Sequence, residues 1–309
     1  GNTTLAIFYC ALKYFYMNVH YMLLYITMPT PEFLLPDVDR SKRKAVTTAF
    51  TNMAKAFGKE PWPYEKYVKD GVPDHAVIWG ILRGSDLMYR EAQAKGKTFY
   101  YVDHAYIDSG HDRINKRNKA VGKEQVTWYR IIKNDHQIKH WGMNKTQVDA
   151  SDRLEKFFDI ELQPTRTHGD TVLILPPTNA IKTFFKCGDW TEQMLEKYAG
   201  EKCVVREKPY NPPMQITAKG YMDKIDKPTD NSGGPMSDVL AHTKKVVTYN
   251  SNSLVSAIVD GIDVEASDNS CWSIYEGNRM LWLKYLVHCQ YNSHENDSGE
   301  WFDCCNFWQ

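Results

Sequence analysis

The sequence predicts an α/β protein made of two doubly wound units, each a parallel sheet with crossover helices. Two observations carry this. Short β-branched or aromatic apolar runs alternate with segments of helical period, and glycine or proline closes most of them. The 309 residues are also enough for two domains of ordinary size.

The clearest unit is residues 246–264, VVTYNSNSLVSAIVDGIDV. Val246, Val247 and Thr248 read as a buried strand, and Asn250, Ser251, Asn252 and Ser253 as a polar turn. Leu254, Val255, Ile258 and Val259 share one helical face, Gly261 stops the helix, and residues 262–264 begin another strand. Such a turn places hydroxyls and backbone N–H groups at a helix N-terminus, where a phosphate is stabilised. The same residues serve equally as ordinary helix caps.

Earlier in the chain, residues 29–39 hold Pro29, Pro31 and Pro36 and read as a loop. Residues 41–57 read as a helix, with Ala45, Thr48, Ala49, Met53 and Phe57 on one face and Gly58 as its stop; Lys42, Arg43 and Lys44 make its first turn basic. Strands at 75–79 and 98–102 flank a helix at 85–95, which implies parallel pairing through a crossover. Ligands of such sheets sit at the carboxyl ends of the strands. Arg83, Asp103, His104, Tyr106 and Asp108 fall there, and a carboxylate beside a histidine suits general-base chemistry. Residues 112–123 form a basic loop. Arg130, inside a strand at 128–132, either faces outward or pairs with an anion.

The later part reads as a helix at 151–158, a linker at 164–170, a strand at 171–175, a helix at 190–199, a strand at 203–206, a polar surface loop at 212–234 and a short helix at 237–240. Arg206 and Lys208 follow a strand, as the 250–253 turn does, so two cations and a helix N-terminus share one rim and suit a diphosphate. In the tail Leu281, Trp282, Tyr285, Leu286 and Cys289 form an apolar stripe. Asn292 and Glu295 have the spacing of a capping box, and Gly299, Trp301 and Phe302 lead into a final aromatic segment.

Lys+Arg 38 against Asp+Glu 38 gives no net basic field, so a polyanion partner would need a local patch. The 7 cysteines are scattered without CxxC, which argues against a zinc site or disulfide framework and for a reducing, cytoplasmic setting. Residues 5–28 are apolar, but Lys13, Asn18 and His20 interrupt them, which argues against a membrane span. Short strands are expected at 5–10 and 19–27. The chain opens on Gly1, and Met17 and Met28 read as alternative starts.

Several stretches resemble one family. They are Trp79-Gly80-Ile81-Leu82-Arg83-Gly84, Phe99-Tyr100-Tyr101-Val102-Asp103-His104-Ala105-Tyr106, Trp128-Tyr129-Arg130, Val205-Arg206-Glu207-Lys208-Pro209 and Val247-Thr248-Tyr249-Asn250-Ser251-Asn252-Ser253, with Trp282, Leu283, Cys289-Gln290-Tyr291, Glu295 and Ser298-Gly299-Glu300-Trp301 in the tail. Between residues 77 and 301 the chain resembles the glycosyltransferases of tailed phages, themselves distantly similar to capsule-polysaccharide glycosyltransferases. The resemblance implies a GT-B arrangement: two Rossmann-like domains facing across a cleft, with C-terminal helices packing back on the first. The expected boundaries are 1–165 for an acceptor domain, 166–280 for a nucleotide-sugar domain and 281–309 for the returning helices.

The resemblance implies a nucleotide-sugar co-substrate, such as a UDP-sugar, and a hydroxyl acceptor. For phage members a natural acceptor is 5-hydroxymethylpyrimidine in DNA, in the host cytoplasm, an expectation from context that no motif here carries; glycan is the alternative. The expected donor contacts are Arg206, Lys208, Thr248, Asn250, Ser251, Asn252 and Ser253. Asp103 is the first candidate base, with His104 and Asp108 behind it, and Arg83, Tyr106 and Arg130 are acceptor contacts. A paired-glutamate signature is missing near Glu265, which tilts the expectation to inversion by one base. No DxD stands at a strand end, so no metal or other cofactor is expected. A non-catalytic DNA- or glycan-binding module with the same shell is the rival class.

Overall fold

The computed structural model describes residues 29–37, 44–107, 127–139, 145–225 and 236–309. The chain divides into Gly1–Pro31 and Glu32–Gln309, and every element named below belongs to the second unit. The expected strands at 5–10 and 19–27, Lys42, Arg43, Asp108 and the 112–123 loop lie outside the described residues.

Strands β1 (Glu32–Leu34), β2 (Ala76–Trp79), β3 (Phe99–His104) and β4 (Trp128–Lys133) precede a second set: β5 (Thr171–Leu175), β6 (Lys202–Val205), β7 (Met214–Ile216), β8 (Met222–Lys224), β9 (Thr243–Thr248) and β10 (Asp263–Ala266). Strand β11 (Gln290–Asn292) comes last. The helices are α1 (Lys44–Lys55), α2 (Tyr64–Asp70), α3 (Ser85–Ala94), α4 (Lys145–Asp149), α5 (Arg153–Phe157), α6 (Asn179–Phe185), α7 (Trp190–Lys197), α8 (Met236–Ala241), α9 (Ser253–Val259), α10 (Arg279–Val287), α11 (Ser293–Ser298) and α12 (Glu300–Trp308).

One sheet has the order β1-β2-β3-β4-β11, the other β10-β9-β5-β6, and β7 and β8 pair as a hairpin. The second sheet is wholly parallel, as expected. The first is mixed, which corrects the parallel reading: β1, β2 and β3 run together, β4 runs against β3, and β11 runs against β4. Residues 29–39 are not all loop, because β1 pairs with β2 there. Residues 212–225 are not a plain surface loop either, since β7 and β8 form an antiparallel ribbon.

Strand side chains alternate between the faces of the first sheet. Leu34, Ile78, Phe99 and Tyr101 pack on Met88 and Tyr89 of α3 and on Tyr64 and Tyr67 of α2. Phe33, Val77, Tyr100 and Val102 pack on Phe50 and Met53 of α1 and on Trp301 and Phe302 of α12. The tail thus returns to the first sheet through β11 and α12. Its entry is set by the anticipated capping box, in which Asn292 accepts from the Glu295 N–H while the Glu295 carboxylate accepts from the Asn292 N–H. Arg153 donates to both Glu295 oxygens and to the carbonyls of Val287 and Gln290, so α5 is held to the same corner.

The 164–170 segment is fastened rather than free. Gln163 N–H donates to the Val259 carbonyl, and Arg166 N–H to the Gly261 carbonyl. Gly261 has φ 75°, and a Cβ there would stand 1.9 Å from the Pro164 carbonyl oxygen. Gly261→Ala should therefore cost about 2–5 kcal/mol, combining a left-handed backbone with overpacking. Urea unfolding checks it: the midpoint should fall with the slope unchanged, and an unmoved midpoint would refute this account.

Candidate functional site

Register builds the site. Asp103 pairs across β3 and β4 with Arg130, and Arg130 pairs across β4 and β11 with Gln290, so these three stand in one row. Opposite partners lie about 4.5–5.5 Å apart, close enough for their side chains to meet. Arg130 Nη2 donates to Asp103 Oδ2 at 3.0 Å, and the Tyr101 hydroxyl donates to the same oxygen at 2.9 Å. The His104 N–H donates to Asp103 Oδ1 at 2.8 Å. Gln290 Oε1 accepts from the N–H groups of Tyr106 and Ile107, and Gln290 Nε2 donates to the Ile107 carbonyl. That glutamine fixes the path of the chain as it leaves β3.

The second sheet reaches this row through its polar turn. Asn252 Nδ2 donates to the Ala105 carbonyl at 3.0 Å, and Asn252 Oδ1 accepts from Arg130 Nη1 at 3.4 Å. The carboxyl ends of β3 and β9 therefore meet at Asn252. The turn is self-braced: the Thr248 hydroxyl donates to the Leu175 carbonyl and accepts from the Ser251 N–H, while the Ser251 hydroxyl accepts from the Ser253 N–H. Thr248 is fully buried, so its work is to hold the turn. Asn250, Ser251, Asn252 and Ser253 are half-buried and border the rim. Helix α9 is only seven residues long, so its end contributes little dipole to this rim.

Electrostatics follow from the geometry. Burial pushes the Asp103 carboxyl up, but the Arg130 cation, His104 and the donated hydrogen bonds outweigh it and hold the group below its usual value. Burial alone would weaken the Arg130 cation; the charge of Asp103 reverses this and keeps it protonated. The Tyr101 hydroxyl is pushed well up by burial and by Asp103, so it stays a donor. A carboxylate gripped by a cation, a hydroxyl and an N–H is a poor proton acceptor. His104, exposed beside it, has the accessible ring nitrogens.

Of the other anticipated residues, Tyr106 packs against this cluster, and Arg83, Arg206 and Lys208 have no contact with it given by the structure. Tyr106 is fully buried; its hydroxyl donates to Gln137, and its ring centroid lies 5.3 Å from the Arg130 guanidinium, which it helps to hold. Arg83, at φ 58°, pairs with Asp223 of the β7–β8 hairpin at 3.0 Å. The Arg206 N–H donates to the Ile174 carbonyl, which places this half-buried residue beside the end of β5; Lys208 is exposed further on. Glu265 accepts from Lys197 and Tyr198. Tyr101 and Gln290 were missed as site residues. The spacing of Tyr101 two before Asp103 on one strand face was a usable signal, whereas Gln290 lies 183 residues from Ile107 and had none.

Among the described residues no three His, Cys, Asp or Glu side chains gather to hold a metal, and no helix is long and apolar enough to cross a membrane. Two cavities, of about 190 and 210 Å³, are lined by residues other than Asp103, Arg130 and Asn252.

A comparison with protein-family models finds no match, and a search of curated proteins finds none either. Among solved structures the chain is similar to two from Thermosulfurimonas dismutans. One, "KpsC, beta Kdo 2,4 transferase", is 11% identical with a TM-score of 0.42, over 85% of this chain and 92% of that one. The other, "KpsC, beta Kdo 2,7 transferase", is 11% identical with a TM-score of 0.41, over 90% and 99%. Likeness at this level carries no argument, so function rests on the side chains above.

Proposed function

We propose that the chain is a glycosyltransferase that moves a sugar from a nucleotide-sugar to a hydroxyl acceptor. One observation carries this reading: the carboxyl ends of β3 and β9, one from each sheet, meet at Asn252, beside the Asp103–Arg130 pair and the exposed His104. In this reading the two strand ends supply a donor side and an acceptor side, each with the polar groups that parallel strands present at their carboxyl ends. The sequence resemblance points to the same activity.

In this reading Arg206, Lys208 and the 250–253 turn stabilise the diphosphate as charge develops on it. His104 takes the proton of the acceptor hydroxyl, and Asp103 holds Arg130 and the start of the 104–107 segment in place. Asp103 was the first expectation for the base; its pairing with Arg130 supports assigning the proton transfer to His104 in this proposal. Inversion without a metal remains the proposed course, and turnover should survive a chelator.

The experiment is incubation with a panel of nucleotide sugars and two acceptors, hydroxymethylated DNA and oligosaccharides, followed by mass spectrometry of the products. A mass gain of one sugar on either acceptor supports the reading. No transfer combined with no nucleotide binding would return the chain to the class of non-catalytic binding modules. The donor side has its own check: Arg206→Ala should weaken nucleotide binding by about 1.5–3 kcal/mol, the worth of a charged hydrogen bond. Unchanged affinity by calorimetry would remove Arg206 from the site.

A further inference from the structure

The cavity of about 210 Å³ lies where β1 ends and is lined by Leu35, Asp37, Thr47, Pro63, Tyr64 and Glu65. It belongs to the same rim as the candidate site. The sheet order is β1-β2-β3, and neighbouring strands are about 4.8 Å apart, so the end of β1 lies about 10 Å along the rim from Asp103 at the end of β3.

The cavity is a built feature. Its floor follows β1, which continues as Leu35, whose N–H donates to the Trp62 carbonyl. One wall is α1 with Thr47, and the other is the start of α2 with Tyr64 and Glu65. The β7–β8 hairpin braces it: the Tyr221 hydroxyl donates to Asp37 Oδ2 at 2.9 Å, Lys219 pairs with the same carboxylate, and the ring of Tyr221 packs edge-on against Tyr64 at 5.9 Å. The hairpin itself is tied to the rim, with Met222 N–H donating to Asp86 and the Arg83 N–H donating to the Met222 carbonyl.

Its chemistry selects a ligand class. Lys219 is already paired with Asp37, so among the described lining residues Glu65 carries the uncompensated charge, which disfavours a phosphodiester. Carboxylate and hydroxyl oxygens accept hydrogen bonds from alcohols, while an aromatic ring and apolar residues cover the C–H face of a compact ring. At about 30 Å³ per water, 210 Å³ displaces roughly seven waters, the scale of one sugar ring and well below the roughly 300–1,000 Å³ of larger ligand sites.

We propose that the cavity at the end of β1, formed by Asp37, Thr47, Tyr64 and Glu65, binds one neutral sugar residue, making the acceptor of the proposed transferase a saccharide rather than DNA. This rests on the transferase reading for the word acceptor alone; the binding itself is tested without turnover.

The test is saturation-transfer NMR on the full chain with methyl glycosides of glucose, galactose and N-acetylglucosamine. A single-stranded DNA oligonucleotide is measured in parallel, and a nucleoside diphosphate is titrated separately. Saturation transfer to at least one glycoside is expected. Its Kd should rise about 10-fold or more in Glu65→Gln, which removes one charge-assisted hydrogen bond. Thr47→Trp, which fills the cavity, should abolish the signal. Should Thr47→Trp fail to fold, Glu65→Gln at an exposed position still decides. Silence from all three glycosides, a signal that neither variant alters, or DNA binding with the glycosides silent would each overturn the proposal. Glycoside binding without nucleotide binding upholds the cavity and removes the transferase; nucleotide binding without glycoside binding does the reverse.

Discussion

His104→Ala is expected to lower turnover by about 10²–10⁴-fold, the usual worth of a general base, with nucleotide affinity held. The motive is position: His104 is exposed at the end of β3, next to a carboxylate that three donors already grip. The side chain borders solvent, so its removal should leave the melting temperature near that of the parent. Turnover and melting are to be read on one sample. A folded variant with near-normal turnover would end the role of His104 and return it to Asp103 or to Asp108. A rise confined to the acceptor KM, with turnover held, would make His104 a binding group instead.

Arg130→Met is expected to destabilise the fold by about 3 kcal/mol, the lower end for breaking one side of a buried ion pair. The lower end applies because the Asp103 side chain keeps 28% of its exposure, so water takes over part of the lost interaction, while Arg130 keeps 7%. The pH dependence gives a second readout. In the parent, Asp103 titrates below its ordinary value in the folded state. Its contribution is therefore complete above the unfolded-state value of 3.8 and is lost as pH falls through the lower folded value. In the variant the cation is gone and burial, the largest influence, is opposed by less. The folded carboxyl then titrates higher, so protonation favours the folded variant. The gap between the two proteins should narrow on acidification below about pH 4. Urea midpoints measured from pH 3 to pH 7 check this; a gap constant across the range would show that the loss is packing and not charge.

Much of the fold was legible in the chain. The strand at Thr171–Leu175 has the bounds its apolar run implies, and the Asn292–Glu295 spacing is a working capping box. Gly261 stops its helix with a positive φ, as a glycine there should. These features are local: a run of β-branched residues, a cap three residues ahead of its partner, a residue without Cβ. Helices α2 and α6 went unanticipated because they are short and owe their stability to packing on neighbours.

The site was legible only as candidates. Asp103, Arg130 and Asn252 each stood out singly, and nothing near them in sequence tells that they meet. The meeting depends on β4 running against β3, which sets Arg130 opposite Asp103, and on the turn after β9 reaching Ala105. Strand direction and sheet order leave no trace in periodicity, because a strand alternates its faces identically in either sense. The same holds for the hairpin at the end of β1, whose Lys219 and Tyr221 close on Asp37 from 182 and 184 residues away. The sequence by itself determined the α/β class, the alternation of strands and helices along the second sheet and the residue types at the strand ends, since these follow from local period and punctuation. Tertiary structure alone decided which strand ends face each other, and so which carboxylate is tied to a cation and which histidine is left open to solvent.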